Sequence, residues 1–554
     1  MCYSDRPNQP LLLLLLLCAA MAACGDDVEP SDAGAFLDAP LDIGATNPDA
    51  EAQDAGVDTG APADCDPGVA VDCASDTQQR ICVTVGDEQF IQQRACAEES
   101  SCLHGTCATA EQLEGAAQIR TYIQQVKDTS GHPFDEDYVA LEEEALRVLL
   151  SESSVETGII RGAVRFALSY QQGHQSLTFS RGDDSLCGDA DSYAYTAQTF
   201  YAGVCGSALG DEVLVMSAPP GNALGLSPGD VIVSTSAWPG GENFLSDVAG
   251  VASCLTRVGA SSASERGEAA ASFFGRIGEG MTLEVRDPAG AIRSVSVPPR
   301  ETDIEAGEDY CLNPFGGYDF VEADFTLRPD GVSVIRVATL RPEGPWPDAA
   351  TYYREVQNFL DRVGGALNLV PEGGPIIWDV RGNSGGAAEV ALGIVAGMPG
   401  ATTTEFSRAF WRIDETDPPE WETEPESQQS FTMRVEDDLV TNHRDHAVAV
   451  LVNSQTLSAG DVFAYAAKNF TDALLVGPEG TSGIFGFGGR PFVTVEGTTL
   501  DLNHRVDPFR VVTPSGEPLE RASVEPDMVV PYLPEDVAAG RDTVVEAAAA
   551  ALLR

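Results

Sequence analysis

Ser458-Ala459-Gly460-Asp461 is the stretch with the clearest chemical potential. An apolar, β-branched run at 447–452 and a polar turn at 453–457 precede it, and Val462, Phe463, Ala466, Ala467 and Phe470 follow at helical spacing. The run is predicted to be a short buried parallel strand and the stretch after it a helix. A sharp turn between the two would present the Ser458 hydroxyl beside free backbone N–H groups and the positive end of a helix dipole. Acyl transfer needs such a hydroxyl with fixed donors for the developing oxyanion; Ala459 N–H is one such donor. The same residues also spell Ser-x-x-Asp, a capping-box-like helix start. Taken alone, they mark either a cap or a nucleophile.

A second strand–turn–helix unit precedes the first. The run 375–380 reads as a buried strand, 387–396 as a helix, and Arg381-Gly382-Asn383-Ser384-Gly385-Gly386 as the turn between them. The turn lacks Gly-x-Gly-x-x-Gly spacing, and Gly-Lys-Ser/Thr occurs nowhere in the chain, so nucleotide binding is disfavoured. Adjacent glycines let a backbone approach a reacting carbonyl, which makes Gly385 and Gly386 candidate oxyanion donors. Farther upstream, Gly173 stops a predicted helix and His174 sits just past it.

These residues need a frame. Helices are predicted over 108–127, 138–151 and 155–170, a strand over 332–340 and an amphipathic helix over 348–363. Strand–turn–helix units in series argue for an α/β fold with a parallel sheet and active groups at the strand C-termini. The segment 402–445 reads as polar, with no element assigned to it. Between 209 and 299, strands are predicted at 212–216 and 281–285, and Ala223-Leu224-Gly225-Leu226-Ser227-Pro228-Gly229-Asp230-Val231-Ile232 resembles the PDZ domain, with a short helix, a turn and a buried strand. That resemblance implies binding of extended peptide ends by strand addition.

Composition bounds the partners. The formal net charge is −54 over 554 residues, and Lys127 and Lys468 are the only lysines. So large an acid excess argues against nucleic acid and anionic lipid headgroups. Arg6, the apolar run 11–18 and Ala22-Ala23-Cys24 suggest a signal peptide over 1–23 with a lipobox-like cleavage before a lipidated Cys24. Residues 24–64 are acidic and cannot bury a core, which reads as a tether. Six cysteines (Cys65, Cys73, Cys82, Cys96, Cys102, Cys107) crowd 65–107 and suggest a three-bridge module. A zinc site from Cys102, His104 and Cys107 is the weaker alternative. For the remaining four, Cys187–Cys205 and Cys254–Cys311 are the expected pairs. The chain is thus expected in the cell envelope, extracytoplasmic and held to a membrane by lipid alone; its oligomeric state is left open.

The motifs together resemble peptidase family S41, which comprises C-terminal processing peptidases and tricorn-type proteases. Ile377-Trp378-Asp379-Val380-Arg381-Gly382-Asn383-Ser384-Gly385-Gly386 is similar to the family's Asp-Leu-Arg-x-Asn-x-Gly-Gly signature. Thr456 to Asp461 is similar to its nucleophile motif, and Val524-Glu525-Pro526-Asp527 to its closing Gly-Val-x-Pro-Asp, with Ser523 in place of the glycine. The resemblance implies an S41 (ClpP/crotonase-like) catalytic core at 300–554, a PDZ-like β domain at 187–299, an N-terminal helical region at 108–186 and the disulfide module before it.

Processing peptidases use a Ser–Lys dyad, with the lysine in a Gly-Lys-Gly turn. The corresponding region here, 476–484, contains no lysine, and Lys468 lies ten residues into the helix behind Ser458, about 15 Å along its axis. The resemblance to tricorn-type members instead assigns His174, in Gly173-His174-Gln175-Ser176-Leu177, as general base and Glu520 as its orienter. Ser458 is then the nucleophile of a serine endopeptidase acting on envelope proteins or peptides, without metal or cofactor. The other reading is an inactive S41-like scaffold that captures peptide C-termini through its PDZ-like domain.

Overall fold

A computed structural model describes residues 70–85, 88–97, 100–129, 137–152, 154–169, 176–179, 204–236, 245, 266–267, 269–271, 273–274, 277–299, 324–344, 346–411, 429–436, 439–485, 492–495, 502–505, 509–519 and 522–554. The chain divides into two compact units, 1–114 with 344–355 and 115–343 with 356–554. Cys24 and the tether lie outside the described residues.

In the first unit, β1 (Ala70–Ser75), β2 (Gln78–Val85) and β3 (Glu88–Ala95) form an antiparallel sheet, and β4 (Ser101–Leu103) pairs with β5 (Thr106–Ala108). The β4–β5 turn is His104-Gly105, both at positive φ (46° and 81°), as a tight two-residue hairpin turn requires. Few apolar side chains are buried here, and covalent bridges supply the constraint: Cys73–Cys102 and Cys96–Cys107. These bridges consume both sulfurs of the zinc alternative, which is thereby excluded. Cys82 and Cys205 are also disulfide-bonded. Cys187, Cys254 and Cys311 lie outside the described residues.

Three helices follow, α1 (Ala110–Thr129), α2 (Asp137–Ser151) and α3 (Val155–Ser169), close to their predicted spans. Gly158 and Gly162 let α2 and α3 approach: a Cβ on Gly162 would fall 2.6 Å from Ala145 O. The strand β6 (Ser176–Phe179) begins two residues past His174.

The strands β7 (Cys205–Leu209), β8 (Glu212–Ser217), β9 (Val231–Thr235), β10 (Thr282–Arg286) and β11 (Ile292–Ser296) make a five-stranded antiparallel sheet in the order β11-β10-β9-β8-β7. Period-two alternation lets β8 serve two cores. Val213 and Val215 pack with Leu224, Phe273 and Phe274, while Leu214 and Met216 pack with Ile377, Ala449 and Leu451. The short helix predicted after Ala223 is absent. Asn222 instead holds a turn there: its side chain donates to Pro219 O and Leu226 O and accepts from Leu226 N, and Gly225 takes φ 59°.

The strands β12 (Asp324–Leu327) and β13 (Ser333–Arg336) open the central sheet, and α4 (Ala349–Leu367) follows. It runs past the predicted end at 363, through Gly364, where a Cβ would fall 2.7 Å from Val440 O. Then come β14 (Ile376–Asp379) and α5 (Ala388–Val395). Within the polar segment 402–445 lie β15 (Thr404–Trp411) and β16 (Gln429–Met433). The chain returns through β17 (Val448–Leu451), α6 (Ala459–Phe470) and β18 (Leu474–Gly477). The remaining strands are β19 (Phe492–Val495), β20 (Leu502–Arg505), β21 (Phe509–Val512) and β22 (Met528–Val529), and α7 (Pro534–Ala538) and α8 (Thr543–Leu552) close the chain.

The six-stranded sheet has the order β12-β13-β14-β17-β18-β22. Apart from the antiparallel β12–β13 pair, its neighbours run parallel. Every residue of β14 and β17 is buried, which explains their uninterrupted apolar runs. The β14–β17 register pairs Asp379 with Leu451, so both strands end level, and the glycine turn and Ser458 both follow at that end.

Candidate active site

Ser458 is one of two non-glycine residues with positive φ among the described residues (φ 59°, ψ −120°). This backbone is costly for a residue with a Cβ, and such strain concentrates at functional positions. Ser458 occupies the N-cap position of α6, yet its side chain makes no capping hydrogen bond. The cap reading therefore does not account for this serine. The Asp461 carboxylate faces the Ser458 backbone N–H, the smallest of the influences that favour its ionised form. Asp461 is fully buried and accepts from Gly483 N (2.9 Å), Ile484 N (3.1 Å) and the Thr481 side chain. Burial pushes its carboxyl up to about 7 against these donors, which favour the ionised form. One side chain in the first turn of α6 thus ties this helix to the loop after β18.

The glycine turn lies against the serine. Gly385 (φ 94°) approaches so closely that a Cβ there would sit 2.9 Å from Ser458 Oγ. Gly386 (φ 143°) pairs with Leu340 in an isolated parallel bridge, and a Cβ on it would be 2.1 Å from Leu340 C. Within that bridge Leu340 N donates to Gly385 O and Ala387 N donates to Leu340 O. The N–H of Gly386 consequently faces away from Leu340. The N–H of Gly385 donates to Asn383 Oδ1 (2.8 Å).

Asn383 is the hub that sequence reasoning missed. It is fully buried; its side chain donates to Val337 O (2.7 Å), and its carbonyl accepts from Leu457 N (2.9 Å). It therefore joins the residue after β13, the glycine turn and the residue before Ser458. Thr456 adds a second link, donating to Val380 O (2.9 Å), and Asn453 Oδ1 accepts from Gly382 N (2.9 Å). The signal was present: polar residues between two buried strand ends and two glycines must spend their hydrogen bonds locally.

Lys468 is engaged elsewhere. Its ammonium donates to Glu525 O and pairs with Asp527 at 3.5 Å. The loop after β18 carries Glu479 instead of a lysine; burial raises its carboxyl above the usual range, opposed by a Ser454 hydrogen bond and by Arg266. The structure brings Ser458, Ala459, Gly385 and Gly386 together, while His174 and Glu520 lie outside the described residues. No group of metal-ligating side chains occurs among the described residues, and no helix among them is long and apolar enough to cross a membrane.

Residues 353–530 match the model of Peptidase family S41. The fold resembles mature CPAF complexed with lactacystin, at 14% identity and TM-score 0.54, covering 80% of this chain and 98% of that one. Mature CPAF alone gives 14% identity and TM-score 0.52, covering 79% and 96%. No curated protein sequence matches the chain significantly. The matched region spans the glycine turn, the strained serine and the strand that closes the sheet, so this part of the chain is similar to the serine-type peptidases of family S41.

Proposed function

We propose that the chain is an extracytoplasmic serine endopeptidase whose nucleophile is Ser458, general base His174 and orienting acid Glu520. The observation that carries this reading is the Ser458 backbone: at positive φ, at a helix start, with a hydroxyl released from capping. Ser458 Oγ attacks the peptide carbonyl and its proton passes to the His174 imidazole, whose ordinary pKa of ~6.5 suits a base at neutral pH. The oxyanion is held by the N–H groups of Ala459 and Gly386, since the Gly385 N–H is already spent on Asn383. Collapse expels the amine with the proton from His174, leaving an acyl-enzyme that water hydrolyses by the reverse sequence.

The two module disulfides fit an oxidising compartment, and a lipidated Cys24 would hold the protein at the envelope membrane. The five-stranded sheet at 205–296 is the candidate PDZ-like element for binding peptide ends. Fluorophosphonate labelling of wild type, Ser458→Ala and His174→Ala tests the assignment, with peptide hydrolysis measured in parallel. Wild type should label at Ser458, and each variant should lose several orders of magnitude in kcat/KM. His174→Ala with near-wild-type turnover would move the base elsewhere. A wild type that neither labels nor hydrolyses would be a binding scaffold in a peptidase fold.

A further inference from the structure

The family match ends at residue 530, yet the chain beyond it reaches back to the glycine turn. Arg381, first residue of that turn, is buried, and its guanidinium spends its fork on three partners. Nε donates to Asp379 Oδ1 (2.8 Å) and Nη2 to Asp379 Oδ2 (2.7 Å). Nη1 donates to Tyr532 Oη (3.2 Å) and Asp542 Oδ1 (3.1 Å), and Nη2 also donates to Asp542 Oδ2 (2.6 Å). The arrangement is bidentate on two carboxylates at once, the geometry guanidinium favours. Asp542 is itself the N-cap of α8, accepting from Val544 N (3.1 Å) and Val545 N (3.2 Å). That helix packs on β14, β17 and β18.

Arg381 is therefore fixed from two directions: by Asp379 at the end of β14, and by Asp542 from a helix 161 residues downstream. Its backbone leads directly into Gly382, whose N–H is held by Asn453, and Asn383 then sets the rest of the turn. We propose that Asp542 is a positioning residue for the turn at 382–386, acting through Arg381, so that the C-terminal helix is part of the catalytic apparatus. The inference rests on the turn serving as oxyanion hole. Donors that must meet the oxyanion act only in the transition state, so a small shift lowers kcat and leaves KM in place. A helix cap has no such signature.

Asparagine separates the two roles, because it caps helices about as well as aspartate but offers Arg381 no charge and one acceptor oxygen fewer. Asp542→Asn, Asp542→Ala and Arg381→Lys are compared in full-length protein by thermal melting, fluorophosphonate labelling of Ser458 and steady-state kinetics. Asp542→Asn should melt close to wild type, label Ser458 more slowly and lose about tenfold or more in kcat with KM unchanged. Arg381→Lys should share that loss, and the double variant should add little to it. Wild-type kcat in Asp542→Asn, with losses confined to a destabilised Asp542→Ala, would reduce Asp542 to a cap and overturn the proposal. If Asp542→Asn fails to fold, Arg381→Lys decides: a raised KM at unchanged kcat overturns it, a lowered kcat at unchanged KM supports it. A wild type unlabelled at Ser458 overturns the peptidase reading itself, and this inference with it, before any variant is compared.

Discussion

A Cβ added to Gly385 would fall 2.5 Å from the Cβ of Ser458. Two turns from different strand ends thus meet with no room for a methyl group, and Gly385 also holds φ 94°, where a side chain is strained. Gly385→Ala should displace one turn from the other by a few tenths of an ångström or more. The expected outcome is a loss of about 100-fold or more in kcat/KM in a protein that still melts cooperatively. Kinetics on that variant check it, and wild-type turnover would mean the close approach has no bearing on the chemistry.

Much of this arrangement was legible in the sequence because it rests on short-range patterns. Uninterrupted apolar runs gave β14 and β17, and the residues after them gave the two turns. What was not legible depends on partners distant in sequence. The hydroxyl of Ser458 could be capping or free, and only the fold, with Asp461 anchored by Gly483 and Ile484, separates the two. Asn383 looked like one polar residue among glycines until Val337 and Leu457 closed around it. The strand β15 was hidden because Glu405 and Arg408 interrupt its apolar residues, and they pair with each other at 2.8 Å. The helix predicted after Ala223 failed for the opposite reason: a local Asn222 turn outcompeted a weak helical pattern.

Lys468→Met should leave kcat/KM within a few-fold of wild type. The ammonium is 31% exposed and already spent on Glu525 O and Asp527 at the far end of α6, and a catalytic amine would have to be desolvated and free to accept a proton. The same assay that finds Ser458→Ala inactive checks this, and an inactive but folded Lys468→Met would reinstate a lysine base.

Added salt should stabilise the protein. Eighty-six acidic side chains face 32 basic ones, for a formal charge of −54, and self-repulsion of that size weighs against the compact state until counterions screen it. The melting temperature should rise between 50 and 500 mM, values chosen to span Debye lengths of about 14 to 4 Å, and equally for sodium and potassium chloride. A fall over that range would show that surface ion pairs such as Arg328–Glu546 outweigh the repulsion.

Acid stability should depend on His443. The ring is buried and its Nε2 accepts from Trp378 Nε1 at 3.1 Å, so protonation would both charge a dry site and remove an acceptor. Burial, reinforced by His446 and Arg444, lowers its pKa to about 4 from an ordinary 6.5. With the folded value depressed, the unfolded chain binds the proton first. This contribution is therefore complete above pH ~6.5 and is lost as pH falls to ~4, at most about 3 kcal/mol. His443→Gln keeps an acceptor for Trp378 without a titrating ring. It should lose some stability at pH 7 yet decline less than wild type between pH 6.5 and 4, so the two melting curves converge. Asp461 supplies a control of opposite sign. Its folded value is raised to about 7, so its contribution is complete below the unfolded carboxylate value of ~3.9 and is lost as pH rises through 7. Asp461→Asn should therefore steepen the acid decline and flatten the neutral one, in thermal melts from pH 4 to 8. Parallel profiles for wild type and His443→Gln would remove His443 as the acid-sensitive group.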